Sequence, residues 1–93
     1  MEKRGWMERI AVATDMQEEP IPGLPLIEIA GERRVLIENH NGVLQYEPCC
    51  IRIKVKFGEI CVTGNHLCLA RMVKGQLIIN GNIDSVKLER RRK

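Results

Sequence analysis

Ile51-Arg52-Ile53-Lys54-Val55-Lys56-Phe57-Gly58-Glu59-Ile60-Cys61-Val62-Thr63-Gly64-Asn65 is the stretch that decides the fold class. Ile51, Ile53, Val55 and Phe57 alternate with Arg52, Lys54 and Lys56, which is the period of a half-buried strand with one cationic face in water. A two-residue turn at Gly58-Glu59 sets Phe57 opposite Ile60 and Val55 opposite Val62. A second turn at Gly64-Asn65 sets Val62 opposite Leu67, Ile60 opposite Leu69, and Cys61 opposite Cys68. Both registers collect apolar groups on one face.

Outward from this stretch the texture is the same. Short apolar alternations at 26–30, 34–38, 43–46, 67–72, 77–80 and 83–88 are punctuated by glycine or asparagine, which reads as further strands. A three-residue loop at Gly31–Arg33 pairs Ile29 with Val35 and Ile27 with Ile37. A four-residue loop at Asn39–Gly42 pairs Ile37 with Leu44 and Val35 with Tyr46. Near Lys74-Gly75 and Gly81-Asn82 no simple register serves every apolar residue, so a bulge or a strand crossing between sheets is expected. The expected architecture is all-β, a small antiparallel meander closing into a sandwich or roll. Its inward residues are Ile29, Val35, Ile37, Leu44, Ile53, Val55, Ile60, Val62, Leu67, Leu69, Ile79 and Val86. The alternative is a small β-solenoid, suggested by the pattern Ile27-x-Ile29-x-Gly31, Ile60-x-Val62-x-Gly64 and Leu77-x-Ile79-x-Gly81. The glycine spacings of that pattern are irregular, whereas stacked coils need a fixed period.

The β-domain, 26–88, is flanked by an N-terminal arm with a Pro-rich linker at 1–25 and a basic tail at 89–93. Trp6, Ile10 and Ala13 stand at helical spacing, so the arm is either a short amphipathic helix or disordered. Pro20, Pro22 and Pro25 break regular structure behind it. With 93 residues the chain is one domain's worth. Its hydrophobic fraction of 44% and charged fraction of 29% mark it as globular. Aromatics are only 3%, which leaves an aliphatic core and no platform for stacking bases.

The net charge of +3 is carried by the tail. Arg90, Arg91, Arg92 and Lys93 hold four of the 15 basic groups, leaving 11 basic against 12 acidic groups in the first 89 residues. A nucleic-acid binder needs a basic face on the fold itself, so that class is disfavoured. It survives as the alternative function, a cytosolic regulator or nucleic-acid-binding protein using the basic tail. No apolar run exceeds four residues, far short of a membrane span, and a cytoplasmic protein with reduced thiols is expected.

Residues able to do chemistry are scattered. Cys49 and Cys50 are adjacent and make a poor chelating pair. The trio Cys61, Cys68 and His66 lacks a fourth ligand for zinc. Ser85 is the chain's single serine and lies outside any nucleophile turn. Glycine-rich phosphate loops are absent. No cofactor and no metal are expected, and the chain reads as a non-enzyme. The residues expected to meet a partner are Trp6, Ile10, Leu77 and Ile78 as apolar contacts, with Arg90, Arg91, Arg92 and Lys93 as the charged ones. Open strand edges, the least protected being Leu67–Met72 and Leu77–Asn80, suggest a homo-oligomer or a hetero-complex. The basic tail could also attract anionic lipid at a membrane surface.

Pro25-Leu26-Ile27-Glu28-Ile29 followed by Arg33-Arg34-Val35-Leu36-Ile37-Glu38-Asn39-His40-Asn41-Gly42-Val43-Leu44 resembles the YabP/YqfC family of sporulation proteins. The basic strand to Phe57-Gly58-Glu59, then Val62-x-Gly64-x-x-Leu67 and Leu77-Ile78-Ile79-x-Gly81-x-Ile83-x-Ser85-Val86, continue the resemblance to residue 88. Leu36–His40 is its most distinctive part. Cys49-Cys50 replace polar turn residues, so the thiols stand outside what the resemblance carries. The resemblance implies a non-enzymatic structural or adaptor protein required for endospore formation. It would be made in the mother-cell cytoplasm and held near a membrane through a membrane-anchored sporulation protein of the YqfD type.

Overall fold

The computed structural model describes residues 23–91; the arm with Trp6 and Ile10, and Arg92 and Lys93, lie outside them. The described elements are β1 (Leu26–Ala30), β2 (Arg34–Glu38), β3 (Val43–Glu47), β4 (Cys50–Val55), β5 (Gly58–Val73) and β6 (Gln76–Arg90). They form one sheet in the order β1-β2-β6-β5-β4-β3, with every neighbouring pair antiparallel. The all-β expectation is met. Antiparallel pairing throughout is not the pairing of stacked solenoid coils.

β3 to β6 run as a meander, and the β1–β2 hairpin adds on beside β6 rather than beside β3. The β1–β2 register is the expected one, Ile27 with Ile37 and Ile29 with Val35. The expected pairing of Ile37 with Leu44 and Val35 with Tyr46 does not occur. Val35 instead faces Ile79 and Ile37 faces Leu77, because Asn39–Gly42 is a crossover between strands that never meet. Asn39 takes a positive φ of 67° there, its side-chain amide donates to the Leu24 carbonyl at 2.8 Å, and its backbone N–H donates to Gly75.

Two expected turns are not turns. Gly58-Glu59 lies in β5, and the turn is Lys56-Phe57, so Ile53 faces Ile60 and Ile51 faces Val62. Gly64-Asn65 is also inside β5, which runs 16 residues beside the 15 of β6. These glycines mark close backbone approach. A Cβ on Gly58 would collide with the Glu89 carbonyl oxygen, and one on Gly64 with the Asn82 carbonyl oxygen. Lys74-Gly75 is a plain two-residue turn with Val73 facing Gln76, a correction to the irregularity expected there. The irregularity expected near Gly81-Asn82 is present as register shifts at Thr63/Gly64 and Asn65/Cys68, with another at Leu69/Arg71. Such shifts bend a ribbon.

The bend explains the core. The first half of β6 and the second half of β5 carry β2 and β1, while the other halves carry β4 and β3. One cluster unites Val35 and Ile37 of β2 with Ile51, Ile53 and Val55 of β4, although β2 and β4 are not sheet neighbours. With Ile60, Val62, Leu77 and Ile79, these have 0% exposure, which one face of a flat sheet cannot achieve. The sheet has folded over on itself. Leu67 is also buried, and Leu69 and Val86 pack against this core. Ile29 and Leu44 are corrections, being 52% and 51% exposed. Ile29 is on the edge strand, and the bulge between Val43 and Gln45 turns Leu44 outward while Val43 packs inward. Ile51 and Leu77 are core residues absent from the expected list.

The glycine contacts predict unequal costs. Gly64→Ala destabilises by about 3 kcal/mol, the upper end for forcing atoms into filled space. Gly31→Ala costs about 1 kcal/mol, since its φ is +58° but nothing lies within 4 Å of the added methyl. Urea unfolding of the two variants reads the difference.

Candidate functional site

Alternation sorts the side chains of each half into an inner and an outer face. In Leu77-Ile78-Ile79 the two flanking residues have 0% exposure and Ile78 points out, half-buried. Leu77 is therefore a packing residue with no surface to offer a partner, a correction to the expected contact set. Ile78 stands opposite Leu36 on β2 on one side and Arg71 on β5 on the other, and Leu36 stands opposite Glu28. The next outer row runs Leu26, Glu38, Gln76, Val73, with the Gln76 side chain donating to Glu38 at 3.2 Å. An apolar strip of Leu26, Leu36, Ile78 and Val73 thus crosses the outer face, with Glu28 at one end and Arg71 at the other.

Arg90 belongs to β6, opposite Gly58, and the Arg91 N–H donates to the Phe57 carbonyl at 2.8 Å. The basic run accordingly starts inside the strand. Around it, Leu44, Lys54, Glu59, Glu89 and Arg91 line an open groove.

The cysteines do not assemble as the sequence suggested. Cys61 faces Arg52 and Lys87, while Cys68 faces Asn80, so Cys61, Cys68 and His66 are not a cross-strand trio. Cys61 instead lies with its Sγ 3.7 Å from that of Cys50, and burial pushes its thiol above the ordinary value, with the Cys50 hydrogen bond adding to it. Among the described residues, no three His, Cys, Asp or Glu side chains gather closely enough to hold a metal ion. The Ser85 hydroxyl is hydrogen-bonded to that of Thr63 at 2.6 Å. His40 is buried, its Nδ1 accepting the Gly42 N–H at 2.9 Å and its Nε2 placed to donate to the Val73 carbonyl at 3.2 Å. Both nitrogens are used in holding the crossover.

Beside the thiols, Arg52 clamps Glu59 through two hydrogen bonds of 2.9 and 2.7 Å and also reaches Gln45. Residues 52 and 59 are two rows apart in register, so the pair is a diagonal contact. The guanidinium hydrogen bond lowers the Glu59 carboxyl below its ordinary 4.5. A lowered folded-state carboxyl adds stability that is complete above the unfolded value and is lost as pH falls through the folded one. Glu59→Gln is therefore less stable than the parent at neutral pH, and the gap is smaller at a pH below the ordinary carboxyl value. Urea midpoints at the two pH values measure it.

The comparisons with known proteins agree with this domain. The family model described as the YabP family matches residues 25–93. The uncharacterized protein YqfC of Bacillus subtilis (strain 168) is 25% identical over 84 residues, an alignment covering 90% of this chain and 87% of that protein. No solved structure matches. The match takes in every described strand, the Asn39–His40 crossover and the basic C-terminal run, and the chain belongs to the YabP family.

Proposed function

We propose that this chain is a non-enzymatic adaptor required for endospore formation, acting by protein–protein binding in the mother-cell cytoplasm. Its partner in this reading is a membrane-anchored sporulation protein of the YqfD type, which would keep it peripheral at a membrane. Membership of the YabP family and similarity to YqfC support the sporulation role. The observation that carries the binding role is the outer apolar strip. A sheet face in contact with water alone is expected to be polar, yet Leu36 and Ile78 stand side by side at the middle of this one. Val73 extends it with 44% exposure. Contiguous outward apolar groups rimmed by charge mark a contact surface, and Glu28 and Arg71 supply opposite signs at its ends for orienting a partner.

The test is a pull-down from sporulating mother cells with the full chain and with Ile78→Asp. The parent recovers the membrane-anchored protein, and Ile78→Asp loses it together with spore yield. The variant's unfolding free energy from urea titration stays within about 1 kcal/mol of the parent's, as befits an outward position. Recovery undiminished by Ile78→Asp would remove this face from the proposal. Failure of the parent itself to recover a membrane sporulation protein would remove the adaptor role.

A further inference from the structure

We infer that the C-terminal half of β6 pairs with the same segment of a second copy of this chain, in a two-fold antiparallel junction centred on Lys87. β2 covers β6 only from Gln76 to Asn80. Gly81 and Ile83 then donate to the Arg33 and Glu32 carbonyls. From Ser85 to Arg90, β5 is the one strand paired with β6 among the described residues.

The direction of the remaining backbone groups is fixed by one bond. Arg91 donates to Phe57 and so points toward β5, and in an antiparallel pair the bonding direction alternates. Val86, Leu88 and Arg90 consequently aim their N–H and C=O groups at the uncovered side. Leu88 is in the same inner row as Ile53 and Ile60, yet it is 56% exposed against their 0%. That row ends in an unfinished edge.

The segment Asp84-Ser85-Val86-Lys87-Leu88-Glu89-Arg90 is complementary to itself when reversed about Lys87. Asp84 meets Arg90, Ser85 meets Glu89 and Val86 meets Leu88, each twice, as a two-fold interface requires. Val86 and Leu88 both point outward, so they form hydrogen-bonded pairs and their side chains continue the inner apolar rows from one copy into the next. Lys87 meets Lys87, an unfavourable cross-strand pair, with a Glu89 diagonal to each; Glu89 already lies 3.4 Å from Lys87 within the chain. The other uncovered edges carry features that discourage pairing. β3 has its bulge at Val43/Gln45 and ends at Pro48, and β1 is five residues long behind Pro25. Of the edges expected from sequence, one is paired on both sides and the other is partly capped. Leu77–Asn80 lies between β2 and β5, and the Leu67 and Leu69 N–H groups donate to the Pro48 carbonyl and the Tyr46 hydroxyl.

This inference is independent of the adaptor role, and the first arm of its test uses the purified full chain under reducing conditions. Sedimentation equilibrium across the micromolar range should show a monomer–dimer equilibrium. Arg90→Asp or Asp84→Arg alone sets like charges together at two contacts and weakens the dimer about tenfold. The double variant exchanges the signs and restores it, while Leu88→Lys abolishes it. In a background with all four cysteines changed to Ser, Lys87→Cys treated with oxidised glutathione yields a disulfide-linked dimer, the glutathione being reduced. Lys74→Cys, at the far tip of the β5–β6 ribbon, does not. A monomer at every concentration would overturn the inference, with Lys87 then acting to keep the edge single. So would a dimer indifferent to Leu88→Lys and to the charge exchange, or equal cross-linking at Lys74. The charge-exchange arm retains the native cysteines and is decisive even if the cysteine-free background does not fold.

Discussion

The β5–β6 ribbon bends because no side chain separates its two backbones at the crossing points. A Cβ on Gly64 would occupy the Asn82 carbonyl oxygen, and a Cβ on Gly81 would come within 2.7 Å of the His66 carbonyl oxygen and 2.9 Å of the Leu67 Cα. These contacts lie beside the register shifts that kink the ribbon. His66, at a positive φ of 57°, completes the local change of direction. Without the bend, β2 and β4 would lie on opposite sides of a flat sheet with their inward residues wet. With it, one aliphatic core serves both halves, and a chain with 3% aromatics reaches complete burial through Ile, Val and Leu alone.

The crossover from β2 to β3 depends on that bend, since it has to travel from one half to the other. Asn39 and His40 hold it there. Asn39 supplies the left-handed turn that asparagine tolerates better than most residues, and its amide reaches back to Leu24. His40 supplies a buried ring that bridges Gly42 and the Val73 carbonyl. The most distinctive stretch of the sequence, Leu36–His40, is therefore explained by topology, and His40 is a structural fastener.

How much of this was legible in the sequence follows from what a two-residue period can encode. The faces of β4 and β5 were legible because Ile51, Ile53 and Val55 alternate along one strand and Ile60 and Val62 along the next. The register between them was not. Pairing Phe57 with Ile60, or Ile53 with Ile60, leaves every apolar group on the same face, so hydrophobic pattern cannot choose. The β1–β2 register was readable because Gly31 really is at a turn, with φ +58° and open space around it. Gly58 and Gly64 carry the same letter for a different reason, the approach of a third strand, which no local window contains. Treating them as turns cut β5 in two, and that in turn produced the false opposition of Cys61 and Cys68. The true neighbour of Cys61, Cys50, becomes visible only once the turn moves to Lys56-Phe57. The parity of Leu77-Ile78-Ile79 was not readable from these three residues alone, because consecutive apolar residues do not reveal which face is inward.

The fold-over also fixes where the molecule can meet others. Each half has a covered inner face, so a partner must use an outer face or an edge. The outer strip at Leu36 and Ile78 lies where β6 runs between β2 and β5, the most fully paired part of the sheet. It is a firm platform whose backbone is already satisfied, and it can contribute only side chains. The run from Val86 to Arg90 is the opposite case, paired on one side only among the described residues and with Leu88 exposed at the margin of the core. A small domain buries a limited share of its surface, and extending the inner rows through an edge enlarges the apolar interior without altering the outer strip. The two surfaces therefore make different demands. On the adaptor reading the strip selects a partner by shape and charge, and on the two-fold reading the edge selects by strand register. Because both lie on β6, at opposite ends of the bend, occupation of one leaves the other open.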